Sequence, residues 1–288
     1  IEDSYFALRD ILTELMKNSV IALIIGGSQD LGIGLVKAFD NFKGFWNFTT
    51  IDSRLDFGQE ENTQVSSNYL ESLVKNKTYE KLCITNIGHQ QYFTPVSLLD
   101  KFENAGHHSL RLGEVRANLP IIEPFLRDTH ILSVDLNAIR QSDAPAASSP
   151  SPNGFFGHEF CQLTRYAGAS PELKAILFSE LVPDNDLNDL STHLIAQSIW
   201  YFLDGLSIKQ DEDPRATGMK KFIVSTSAAN HNMIFYKSNK TDRWWMEIPI
   251  KDPLIDKNYI VACSYQDYQK ACVNEIPDRW WKLMRRFS

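Results

Sequence analysis

Acidic side chains recur in this sequence where apolar runs give way to loops. "IDSRLDF" (51–57) carries Asp52 and Asp56, "SVDLNAI" (133–139) carries Asp135 beside Asn137, and "FSELVPD" (178–184) carries Glu180. Side chains alternate along an extended chain, so Asp135 and Asn137 point to the same face. Carboxylates gathered in one cleft repel each other and coexist only when protonated or when they share a cation. Mg2+, Ca2+ or Mn2+ is the ordinary partner for such a set.

A further stretch, "GGSQDLGIG" (26–34), follows the apolar run "VIALII" (20–25). A strand, a glycine turn, a helix and then an acid such as Asp52 about 20 residues on is the order of a dinucleotide site. The register is wrong for it. Counting back from Gly32-Ile33-Gly34, the pattern T-G-x-x-x-G-I-G of short-chain dehydrogenases needs its first glycine where this chain has Ser28. A nicotinamide cofactor is therefore the weakest reading of the turn.

Elements that would position these residues follow from the patterning. Short apolar runs at 20–27, 47–53, 81–88, 129–139 and 173–182 alternate with helical patterns near 31–42, 66–76, from Pro95, 157–167 and 187–205. Such alternation predicts right-handed βαβ units, a mostly parallel sheet covered on both faces, and ligands beyond the carboxyl ends of the strands. An amphipathic helix is expected over 1–17, with Phe6, Leu8, Ile11, Leu12 and Leu15 on one side. Beyond 210 the texture changes: "KFIVST" (221–226) reads as a further parallel strand, 232–238 and 243–250 as a hairpin, and a helix carries Trp280 and Trp281.

The 288 residues carry a net charge of −7, which argues against a nucleic-acid surface. No apolar run approaches the roughly 20 residues of a membrane-spanning helix. Four scattered cysteines without a Cys-x-x-Cys pair fit free thiols, and a cytoplasmic location is expected. The chain begins at Ile1, so further natural N-terminal residues are expected before it.

Together these stretches resemble the ureohydrolase superfamily (arginase, agmatinase, formimidoylglutamase). That family carries G-G-D-H, then D-x-H-x-D, then S-x-D-x-D with an A-P loop, then E-x-x-P. Here the series reads "GGSQ" (26–29), "DSRLD" (52–56), "SVDLN" (133–137) with "SDAP" (142–145), and "ELVP" (180–183). Gln29 and Asp52 lie 23 residues apart and Asp135 and Glu180 lie 45 apart, as in that family. "NIGHQQYF" (86–93) resembles formimidoylglutamase-like members most. The resemblance implies a three-layer α/β/α domain over the whole chain, with a family-like core at about 20–226 and an extension at about 227–288.

The same resemblance implies two Mn2+ ions held by two histidines and four aspartates. Asp52, Asp56 and Asp135 are retained, while Gln29, Arg54 and Asn137 occupy the other three positions. Arg54 has no lone pair to donate, and three aspartates with one arginine carry −3 + 1 = −2 rather than −4. Arg54 is expected to place its guanidinium where one ion would sit, paired with Asp52 or Asp135. No cofactor is expected, or at most one Mn2+ or Mg2+ on the remaining carboxylates. Glu180 matches the carboxylate that pairs with the substrate's cationic group, and Asn137 and His89 are candidates to line the same pocket.

The expected function is therefore a non-catalytic binding or scaffold protein, taking a small cationic amidine or guanidino ligand and compatible with a homo-oligomer or a protein partner. The alternative is a hydrolase of linear amidines with one metal or an altered site, in which Asp135, Glu180 and His89 would act.

Overall fold

Strands buried on both faces need continuous apolar runs, and helices that cover them need one apolar stripe. Both signatures alternate along the first two thirds of the chain. The computed structural model describes residues 2–42, 44–58, 65–226, 231–250 and 258–286. The junction expected near 227 lies outside the described residues. By internal contacts the chain divides into two compact units, residues 1–102 with 109–209, and residues 103–108 with 210–288.

The elements of the first part run α1 (Glu2–Lys17), β1 (Ala22–Ile25), α2 (Gly32–Lys37), β2 (Trp46–Ile51), α3 (Tyr69–Lys75), β3 (Leu82–His89), α4 (Val96–Asn104), β4 (His108–Arg111), α5 (Leu112–Ala117), α6 (Glu123–Arg127), β5 (Ile131–Asp135), α7 (Gly157–Gly168), β6 (Ala175–Ser179) and α8 (Leu190–Ser207). The strands form a six-stranded sheet in the order β1-β6-β5-β2-β3-β4. Pairing from β1 through β6, β5 and β2 to β3 is parallel. One face packs Phe48, Ile84, Ile131 and Leu177 against Leu12, Leu35, Leu70 and Phe102 of α1 to α4. The other packs Leu132, Val134, Ile176 and Phe178 against Val115, Leu126, Phe160 and Phe202 of α5 to α8. This is the three-layer α/β/α arrangement the motifs implied.

Two local expectations are corrected. The buried face of α1 is Tyr5 and Leu12, while Phe6 and Ile11 are 42% and 59% exposed. The reason is Gly34 on α2, where a Cβ would lie 2.9 Å from the Tyr5 carbonyl oxygen, so the two backbones meet on the Tyr5 side. The sixth strand of the sheet is β4, whose four residues His-Ser-Leu-Arg carry no apolar run.

The segment 221–226 is not a further parallel strand. It lies in β7 (Met219–Thr226), which pairs antiparallel with β8 (His231–Ser238), and with β9 (Trp244–Ile248) and β10 (Tyr259–Cys263) it builds a separate four-stranded sheet. Only a handful of residues separates β7 from β8, whereas a parallel crossover needs a dozen or more. The hairpin of β8 and β9 is as expected. Helices α9 (Tyr265–Cys272) and α10 (Asp278–Arg286) complete this unit. Trp244 stacks on Phe222 and on Tyr268, which also touch each other, and Trp280 Nε1 donates to the Glu247 carbonyl at 2.9 Å, so these rings pack internally.

One buried histidine makes the first unit's stability depend on pH. His130 lies edge-on to Phe39 and Phe42, and burial pushes its imidazole down to about 4. Unfolding returns it to about 6.5. Its contribution is therefore complete above pH 6.5 and is lost as the pH falls from 6.5 towards 4, up to about 3 kcal/mol. Urea unfolding at pH 7 and pH 4.5 checks this: His130→Phe is expected to shrink the acid loss, and an unchanged loss would contradict it.

Candidate functional site

The register of the sheet gathers the carboxylates. Thr50 on β2 lies opposite Ser133 on β5, and Asp52 and Asp135 follow each by two residues, on the same face at adjacent strand ends. Asp56 comes from the loop after β2. All three are buried, at 1%, 6% and 4% exposure for Asp52, Asp135 and Asp56. Burial first, and then the neighbouring charge, raises each: Asp56 beside Asp52 lifts Asp52, Asp135 lifts Asp56 to about 8, and Asp52 lifts Asp135. Backbone N–H groups of Arg54 and Asn137 oppose this by donating to Asp52 Oδ1 at 2.8 Å and Asp135 Oδ1 at 2.6 Å. Tyr69, fully buried beside Thr50 and Ser133, has its phenol raised as well, chiefly by burial and by Asp56.

Gln29 is the centre of this layer. Gly26 and Gly27 adopt φ of 101° and 79°, a left-handed turn that L side chains rarely adopt, and it delivers Gln29 from the end of β1 to the carboxylates. With its carboxamide oxygen accepting from Thr50 Oγ1 at 2.8 Å, the Gln29 nitrogen donates to Asp56 Oδ2 at 3.0 Å and Asp52 Oδ2 at 3.1 Å. The opposite orientation sets the amide oxygen against two carboxylates, so the first satisfies all four groups. Beside it Asp30 accepts from the Tyr5 hydroxyl and from Ser28 Oγ, which ties α1 to the turn.

Arg54 does not enter the layer. Its backbone oxygen accepts from Asn86 Nδ2 at 2.8 Å, and its guanidinium lies 4.2 Å from the centre of the Phe93 ring. Among the described residues it makes no ion pair with Asp52 or Asp135, against expectation. The stack on Phe93 holds the guanidinium at the rim without desolvating it among carboxylates.

Asn137 and Glu180 meet around a residue the sequence reading missed, Ser148. Ser148 Oγ donates to Glu180 Oε2 at 2.6 Å and accepts from Asn137 Nδ2 at 3.0 Å, while Asn137 Oδ1 accepts from the Ser149 N–H at 2.6 Å. The other Glu180 oxygen accepts from the Gln29 N–H at 2.9 Å. Glu180 sits at φ 63°, held there by main-chain bonds to Gly27 and Ser148. Only the Ala/Ser/Pro-rich character of 140–157, directly after a strand end, hinted at such a loop. Thr50 was equally missed, although its place two residues before Asp52 on β2 puts it on the same face.

His89 ends β3 and is buried. It lines a cavity of about 480 Å³ with Gln90, Tyr92, Arg111, Arg116 and Asn153, and none of Asp52, Asp56, Asp135 or Glu180 lines it. Among the described residues, no group of three or more His, Cys, Asp or Glu side chains has metal-holding geometry. No described helix is long and apolar enough to cross a membrane.

Comparison with known proteins agrees with the fold. The family model described as the arginase family matches residues 2–204. The curated formimidoylglutamase of Bacillus subtilis (strain 168) is 22% identical over 200 residues, which are 65% of this chain and 62% of that protein. The chain thus spans less than two thirds of that relative's length. The crystal structure of Trypanosoma cruzi formiminoglutamase with Mn2+ superposes with a TM-score of 0.65 at 18% identity, covering 73% of each chain. The formimidoylglutamase structure from Bacillus subtilis also gives 0.65 at 18% identity, covering 73% of this chain and 69% of the other. With its sheet order, its strand-end motifs and a family match over most of its length, this chain belongs to the arginase family.

Proposed function

We propose that this arginase-family chain is a non-catalytic binding or scaffold protein that has given up the dinuclear manganese centre and amidine hydrolysis. The observation that carries the reading is the Gln29 carboxamide, whose nitrogen hydrogen-bonds two of the three retained aspartates. An N–H donor against Asp52 and Asp56 supplies hydrogen bonds where a metal ion needs lone pairs. The rest of the donor set points the same way. Arg54 is stacked away on Phe93, and both ends of the Asn137 amide are engaged by Ser148 and Ser149. These residues do not fit two manganese ions.

The Glu180 carboxylate, which the family resemblance assigns to a cationic ligand, accepts hydrogen bonds on both oxygens from the chain itself. An amidine or guanidino ligand would have to displace Ser148 from Oε2, and such a ligand is expected to bind there weakly.

Elemental analysis with Mn2+ titration tests the reading, together with ammonia release from formimidoylglutamate and from guanidino compounds. The expected result is well below one Mn2+ per chain and no turnover above buffer. Two Mn2+ per chain with turnover would overturn it. One ion with turnover would establish the single-metal hydrolase instead.

A further inference from the structure

The cavity beyond the ends of β3 and β4 stands apart from the carboxylate layer. At about 480 Å³ it has the size of a small-molecule site. Its wall is fixed by mutual hydrogen bonds: Gln90 Nε2 donates to the Asn153 carbonyl at 3.1 Å, Asn153 Nδ2 donates to Gln90 Oε1 at 2.9 Å, and the Gln90 N–H donates to the Ser53 carbonyl at 2.8 Å. The Tyr92 hydroxyl also donates to Gln90 Oε1. A ligand would therefore meet a wall already ordered.

The charge of the lining is one-sided. Glu159 is its only carboxylate, and it accepts from Arg116 Nε at 3.1 Å and from the Phe156 N–H at 2.8 Å. Arg116 is further held by stacking 4.1 Å from the Phe156 ring centre. That pair is neutral. Arg111, at the end of β4, lines the same cavity, and among the described residues its side chain has no hydrogen-bond or ion-pair partner. Its guanidinium offers a planar fork of N–H donors that matches a carboxylate or phosphate group.

We propose that this cavity binds a small molecule bearing a carboxylate or phosphate group, with Arg111 holding the oxyanion and the Gln90–Asn153 wall shaping the remainder. The site does not depend on whether the carboxylate layer holds a metal.

Calorimetric titration at fixed ionic strength tests the proposal, with glutarate and inorganic phosphate as probes and chloride as the blank. Saturable binding of one molecule per chain is expected, and the tighter of the two probes identifies the oxyanion. Arg111→Gln is expected to weaken it about tenfold or more, the loss of one charge-assisted contact. Gly113 has open space at its Cβ and also lines the cavity, so Gly113→Phe is expected to fill it and weaken binding without changing charge. Exposed Lys77→Gln is expected to leave the Kd unchanged, and all three variants to keep the parent melting temperature.

Binding that survives Arg111→Gln or Gly113→Phe in a folded protein, or no saturable binding of either probe, would overturn the proposal. The titration is repeated with Mn2+ present. An unchanged Kd supports a separate site, whereas binding that requires Mn2+ would place the anion on a metal and overturn it. Failure here leaves the reading of the carboxylate layer to its own manganese titration.

Discussion

The triple variant Gln29→His, Arg54→His, Asn137→Asp is expected to bind Mn2+ at least about 100-fold more tightly than the parent chain, a gain of about 3 kcal/mol. Three changes act together. The first removes the N–H donor that Asp52 and Asp56 share and supplies an imidazole nitrogen. The second removes a positive charge at the rim of the layer and supplies another nitrogen. The third adds the fourth carboxylate, and with the loss of the Arg54 charge it takes the count from −2 to −4, which two divalent ions balance. Backbone geometry favours the second change: residue 54 is pinned by its N–H on Asp52 Oδ1 and by its carbonyl on Asn86, so its Cβ direction does not depend on the Arg54–Phe93 stack.

Calorimetry gives the affinity directly, and thermal unfolding gives an independent reading. Mn2+ at about 100 times its Kd should add roughly 2.7 kcal/mol to the variant's stability and nothing comparable to the parent's. A folded triple variant whose melting temperature and calorimetric trace ignore Mn2+ would show that these positions are not the ligand positions, and the alignment of the motifs would fall with it.

What could be read before the structure was whatever alternation and strand-end chemistry encode. The buried strands β2, β3, β5 and β6 announce themselves as apolar runs, and Asp52 and Asp135 at their ends were visible as a converging pair. β4 was not, because His108–Arg111 is a short strand whose residues carry no period-2 or continuous apolar signal. The substitution at Gln29 was legible, but its consequence was not. The direction of the amide is set by Asp52 and Asp56, which take its nitrogen while its oxygen accepts from Thr50, and these neighbours reach Gln29 only once β1 and β2 share a sheet.

Arg54 was expected among the carboxylates because only its charge was considered. The Phe93 ring that holds it elsewhere belongs to the loop after β3, and no periodicity links two such loops. Ser148 escaped for the same reason. Its contacts with Glu180 and Asn137 depend on how the 140–157 loop folds back over the strand ends, and the bonds from Ser148 N–H to the Glu180 carbonyl and from Val182 N–H to the Ala146 carbonyl set that path.

Gly168→Val is expected to cost the chain about 3 kcal/mol or more and to lower its melting temperature by about 6–12 °C. Helices α7 and α8 meet backbone to backbone through two glycines. A Cβ on Gly168 would lie 2.1 Å from the Phe202 carbonyl oxygen, and one on Gly205 would lie 2.1 Å from the Arg165 carbonyl oxygen. Neither obstacle is a flexible side-chain end, so the helices must separate. Separation would break the bond from Thr164 Oγ1 to the Ser198 carbonyl at 2.9 Å and open the packing of Phe160, Leu163, Leu194 and Phe202.

The effect should also reach the strand ends. The loop carrying Ser148 enters α7, and it is tied to α8 by the Ala146 N–H donating to Ser191 Oγ at 2.9 Å. Shifting α8 moves that anchor, and with it the serine that engages Glu180 and Asn137. Urea unfolding of Gly168→Val beside Gly113→Ala separates close packing from a general intolerance of larger residues at glycine. Gly113 faces open space, and alanine there should be neutral or stabilising by a few tenths of a kcal/mol to about 1 kcal/mol through helix propensity. Equal melting temperatures for Gly168→Val and the parent would mean that α7 and α8 do not touch through their backbones, and the anchoring of Ser148 would then need another cause.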